Sequence, residues 1–162
     1  MTLAKRHGSW VIVLTFVAAF LLDAMPLPDW AVDARPLWVA LVLIYWCMAL
    51  PERIGIGIAW VLGLLLDVMQ GTLLGQYALG LVVVAYVTVQ THRGVRVFPL
   101  LQQAVLVGFL LLFYLLLSLW VRGIVGLPPE KWSYWLPAAT SMVLWPWVFI
   151  ILRDLRRKYN VS

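Results

Sequence analysis

Six long apolar stretches run through this chain of 162 residues, and only one charged side chain, Asp67, stands well inside any of them. Asp23 lies near the end of the first. A helix needs roughly 20 apolar residues, at 1.5 Å each, to cross about 30 Å of hydrocarbon. The stretches are Trp10–Leu27, Pro36–Leu50, Ile54–Met69, Leu73–Thr91, Pro99–Val121 and Tyr134–Leu152. They predict an all-α integral membrane protein, a compact bundle of six transmembrane helices in one domain over residues 1–162. A basic tail, residues 153–162, follows the last. The composition agrees: 64% of residues are apolar and 12% charged, against about 25% charged in soluble domains. Ten Trp residues, many near segment ends, suit the headgroup region.

The second and third segments are short, reaching about 22–24 Å as helices. Two short spans or a re-entrant hairpin would both account for them. The tip between them, Pro51-Glu52-Arg53, is charged. Leaving it at mid-bilayer costs at least a few kcal/mol per charge, which favours two short spans. The N-terminal Lys5-Arg6-His7 followed by Trp10–Leu22 resembles the start of a signal peptide. Its apolar run is too long for one, and no small-x-small cleavage site follows. It reads as an uncleaved first span.

Six spans place both termini on one side. With that side cytoplasmic, nine basic residues lie inside (Lys5, Arg6, Arg53, Arg93, Arg96, Arg153, Arg156, Arg157 and Lys158) and three outside (Arg35, Arg122 and Lys131). The Lys and Arg bias of short loops sets orientation, so both termini are expected to be cytoplasmic. The formal charge of +5 follows from this bias. No basic helix face interleaved with aromatics points to nucleic acid.

Small residues recur every four positions around Asp67: Gly55, Ala59, Gly63, Asp67, Gly71, Gly75. Such a stripe lets two helix backbones meet closely, within the bundle or against a partner. Gly71 and Gly75 are expected at or past the helix end. Asp67 lies about 20 Å along the helix from Arg53, near the outer interface where water reaches it. Three roles stay open: capping the Gly71–Gly75 turn, a polar contact between helices, and proton or ion transfer. No second acid, Lys or His lies at comparable depth, with Asp23 the nearest. Gln76, Tyr77, Tyr86, Thr88, Gln90, Gln102 and Gln103 suit interhelical hydrogen bonds or the lining of a small pocket. Pro137 and Pro146 interrupt the sixth segment, and a kink is expected at Pro146.

The tail carries Arg153, Arg156, Arg157 and Lys158, an anchor for anionic lipids worth about 1 kcal/mol per basic residue. A single cysteine, Cys47, excludes an intrachain disulfide. No metal-ligand spacing, nucleophilic triad, P-loop or dinucleotide fingerprint is present.

Several of these elements occur in a characteristic order. Arg35-Pro36-Leu37-Trp38 is followed by Tyr45-Trp46, then Pro51-Glu52-Arg53-Ile54-Gly55, then Gly63-Leu64-Leu65-Leu66-Asp67, then Gly71-Thr72-Leu73-Leu74-Gly75. Over Arg35–Ala78 this resembles the MreD family of bacterial rod-shape-determining proteins. Length, six spans and the basic tail agree across the chain. The resemblance implies a multi-pass protein of the bacterial inner membrane, without enzymatic activity or cofactor. It implies work with a bitopic MreC-type partner, with MreB filaments and with the RodA–transpeptidase pair that builds lateral peptidoglycan. It also implies a fold like the S-components of energy-coupling-factor transporters. The motif positions carried over are Arg35, Pro36, Pro51, Arg53, Gly63, Asp67, Gly71 and Gly75, with Glu52 inside the hairpin tip. Two functions follow: a scaffold for cell elongation, or a small-ligand or lipid-binding transporter subunit.

Overall fold

A computed structural model of the chain describes residues 9–26, 28, 35–50, 54–71, 75–126 and 135–159. These residues form six α-helices and no strand: α1 Ser9–Ala24, α2 Trp38–Ala49, α3 Ile56–Gln70, α4 Gln76–Val97, α5 Leu100–Val125 and α6 Leu136–Lys158. Backbone breakers set the ends. Pro26 and Pro28 follow α1, Pro36 precedes α2, and Pro99 separates α4 from α5. Gly71 closes α3 in the left-handed conformation at φ +67°, and Gly126 follows α5 at φ +87°.

Where no breaker intervenes, helices run past the apolar boundary. The fourth segment, expected to end at Thr91, continues as α4 to Val97. The fifth continues to Val125 and the sixth to Lys158, so most of the expected basic tail is the end of α6. Pro137 falls in the first turn of α6, where a missing N–H leaves no helix bond unmade. Pro146 lies inside α6, which continues around it. Two helices, Leu100–Val121 and Leu136–Lys158, are long and apolar enough to cross a membrane. The other four apolar helices are shorter.

The shortest helix is the hub. α2 packs against α1, α4, α5 and α6. Ten consecutive residues, Val39–Met48, are buried. A helix that is apolar all round belongs in an interior, and α2 has no polar face to turn outward. Twelve residues give about 18 Å of helix. Because neighbours cover α2, its length does not have to match a bilayer. Trp46 donates from Nε1 to Thr15 Oγ1 at 3.0 Å, tying α2 to α1. An edge-to-face contact of Trp10 with Tyr159, centroids 4.9 Å apart, sets the start of α1 beside the end of α6. Large apolar side chains remain on the exterior, among them Phe109, Trp120 and Ile124 on α5.

Candidate functional site

Helix termini leave backbone N–H and C=O groups without helical partners. At one end of this bundle two carboxylates and a guanidinium take them up. Asp67, in the last turns of α3, is fully buried. Its Oδ2 accepts the Gly75 N–H and its Oδ1 the Tyr77 N–H, each at 2.8 Å. A side chain from α3 thus caps the start of α4. The turn between them needs Gly75, whose φ is +101°. Water does not reach Asp67, contrary to the expectation from its height along the helix. Height says nothing about which neighbours close over a side chain, and here the next helix does.

Asp23 repeats the arrangement at the end of α1. It is buried, and its carboxylate bears on the N–H groups of Trp38 and Val39, the first two residues of α2. Leu37, just before α2, donates its N–H to Ser141 Oγ of α6 at 2.8 Å. Arg35 completes the set. Its Nη1 donates to the Asp23 carbonyl oxygen and its Nη2 to that of Met25 at 2.7 Å. A cation on the last carbonyls of a helix also opposes the negative end of its dipole. Arg35 therefore closes α1 while Asp23 opens α2.

Between these termini lies a cavity of about 250 Å³ walled by Asp23, Arg35, Pro36, Leu66, Tyr77 and Tyr114, among others. The rings of Tyr77 and Tyr114 stack with centroids 6.1 Å apart. Among the described residues no group of three His, Cys, Asp or Glu is placed to hold a metal ion.

The small-residue stripe separates into distinct roles. Ala59 is buried. Gly63 meets α4 so closely that a Cβ there would overlap the Cα and N of Ala78. This contact lies within the chain. Gly55, Gly71 and Gly75 have open space where a Cβ would stand. The close-packing face expected from six positions is therefore confined to Ala59 and Gly63. The physical reason is the extent of α3: Gly55 precedes it, and Gly71 and Gly75 follow it. Two further close approaches are at Gly80, where a Cβ would stand 2.5 Å from Tyr114 Cδ2, and at Gly108, 2.7 Å from Met142 Sδ. Sequence reasoning missed both: Gly80 belongs to no four-residue series, and the single pair Ala104 and Gly108 is too short to stand out. Pro51, Glu52 and Arg53 lie outside the described residues.

At the opposite end, Arg153 and Arg156 of α6 are half-buried, whereas Arg157 and Lys158 are exposed. On the flank of the bundle, Val87, Thr91, Gly94 and Phe98 of α4 and its end face Phe109 and Phe113 of α5 across an apolar groove of about 650 Å³.

The sequence signature described as rod shape-determining protein MreD matches residues 4–155. The chain is also 35% identical over 153 residues to the rod shape-determining protein MreD of Haemophilus influenzae (strain Rd), covering 94% of each. No solved structure matches it.

Proposed function

Because the chain belongs to the MreD family, membrane proteins of bacterial rod-shape determination, we propose that it is a non-enzymatic scaffold of the cell-elongation machinery. In this reading it crosses the inner membrane six times with both termini in the cytoplasm. It binds the single span of an MreC-type bitopic partner and supports lateral peptidoglycan synthesis with MreB filaments and the RodA–transpeptidase pair. The observation that carries the reading is the groove between α4 and α5. It is apolar, long in the helix direction, and bordered by three phenylalanines, Phe98, Phe109 and Phe113. A transmembrane helix packs where a small residue lets it approach, and Gly94, at the cytoplasmic end of the groove next to Arg93, supplies that gap.

Co-purification in mild detergent tests it. The chain and an MreC-type partner are expected to elute together. Gly94→Leu is expected to abolish the complex while leaving the fold intact, because nothing stands within 4 Å of a Cβ there and Leu favours helix over Gly by roughly 0.8 kcal/mol. A complex that survives Gly94→Leu removes the groove from the proposal. The cavity beside Asp23 and Arg35 favours a second reading, a small-ligand or transporter subunit of S-component type. That reading requires a small molecule to co-purify and to be lost when Tyr77 or Tyr114 is enlarged to Trp.

A further inference from the structure

The two arginines that α6 turns inward are set differently from Arg157 and Lys158, which it turns outward. Arg153 and Arg156, three positions apart, share a helix face. With Phe149 they form one wall of a cavity of about 300 Å³, and Tyr45, Met48 and Ala49 of α2 form the other. Among the described residues no carboxylate is part of these walls. The guanidinium of Arg153 is held in place: its carbon lies 5.9 Å from the centroid of Phe149, and Phe149 packs edge-to-face on buried Tyr45 at 5.5 Å. Its Nε is buried without a hydrogen-bond partner. The nearest carboxylate oxygen, Asp154 Oδ1, is 3.8 Å away on a side chain 66% exposed. Arg156 forms no ion pair among the described residues.

We propose that this cavity seats the phosphodiester headgroup of an anionic phospholipid, with Arg153 and Arg156 as its ligands. Charge complementarity selects an anion, and planar guanidinium forks match phosphate oxygens. Position selects a lipid. The cavity lies where the apolar part of α6 gives way to its basic end, so its occupant stands at the boundary between hydrocarbon and water. Basic pockets between membrane helices on the cytoplasmic side bind such headgroups. The proposal rests on α6 crossing the membrane with its basic end at the surface.

Native mass spectrometry of the full chain in detergent tests it, with phosphatidylglycerol and phosphatidylcholine offered in equal amounts. The unaltered chain is expected to retain phosphatidylglycerol with about tenfold preference or more. R153Q/R156Q is expected to bring the ratio near parity, and R157Q/K158Q to leave it unchanged. Equal loss in both double variants, or no preference at the outset, overturns the seat in favour of diffuse surface attraction. Displacement of the lipid by millimolar inorganic phosphate overturns it in favour of a free anion. Should R153Q/R156Q fail to fold, R153K/R156K keeps the charge and removes the forks, and retention at the unaltered ratio then overturns the proposal. Failure of the topology itself shows separately, as labelling of Ser162→Cys from outside intact cells.

Discussion

At the scale of single residues, Asp67 and Asp23 show why a carboxylate is tolerated inside so apolar a chain. An isolated charge in such surroundings is costly. Two backbone N–H donors at one helix terminus supply both the hydrogen bonds and the positive dipole end that a carboxylate needs. Because each Asp67 oxygen accepts a backbone N–H, Asp67→Asn keeps one acceptor and turns its NH₂ toward the other donor. That leaves one buried N–H unmet, costing about 1–3 kcal/mol. Asp67→Leu leaves both unmet and is expected to cost roughly twice as much. Thermal unfolding in detergent checks the order. Equal losses would show that net charge, not the pair of bonds, is what the site requires. Capping was one of three roles the sequence left open, since an acid four residues before a glycine turn has N–H groups within reach but also faces neighbouring helices. The link between Arg35 and the end of α1 was not. Arg35 stands 12 positions from Asp23, across a stretch whose path no periodicity encodes, and Asp23 stood out only as the acid nearest to Asp67 in depth.

Helix elements are joined here by removing side chains as much as by adding them. α3 and α4 touch at Gly63 and Ala78, backbone against backbone. Gly63→Ala is expected to push the helices apart and cost about 1–3 kcal/mol, the usual range for overpacking. Ala78→Gly is not expected to restore stability, since the overlap is with the Cα and N of residue 78, which glycine retains. Gly57, on the same helix, faces open space. Gly57→Ala is therefore expected to be neutral or to stabilise by up to about 1 kcal/mol through helix propensity. A melting series of the three variants separates contact from propensity, and equal effects of Gly63→Ala and Gly57→Ala would remove the contact argument. The four-residue spacing found this contact but overstated its length, because spacing continues past a helix end while packing does not. The central place of α2 was hidden for the opposite reason. A helix buried on every side shows no periodicity, so Pro36–Leu50 read only as a short span.

The whole molecule is organised around that buried hub, and this changes what a span count means. α2 is capped by its own neighbours, Asp23 at its start and Ser141 just before it, so it satisfies its first N–H groups without reaching a headgroup. Orientation then depends on the outer helices. The ring contact of Trp10 with Tyr159 puts the two ends of the bundle's path side by side, and the basic residues of α6 lie at that same end. Ser162→Cys is accordingly expected to react with a membrane-impermeant maleimide only after the inner membrane is permeabilised. Lys131→Cys, in the connection between α5 and α6, is expected to react in intact spheroplasts. The native Cys47 is fully buried, so it contributes little background and need not be replaced. If both positions react before permeabilisation, the C-terminus lies outside on the same side as position 131, and α6 does not cross. If both are protected, α6 does not cross. Reaction at position 131 alone requires an odd number of crossings between the two sites, which α6 supplies as the last long apolar helix of the bundle.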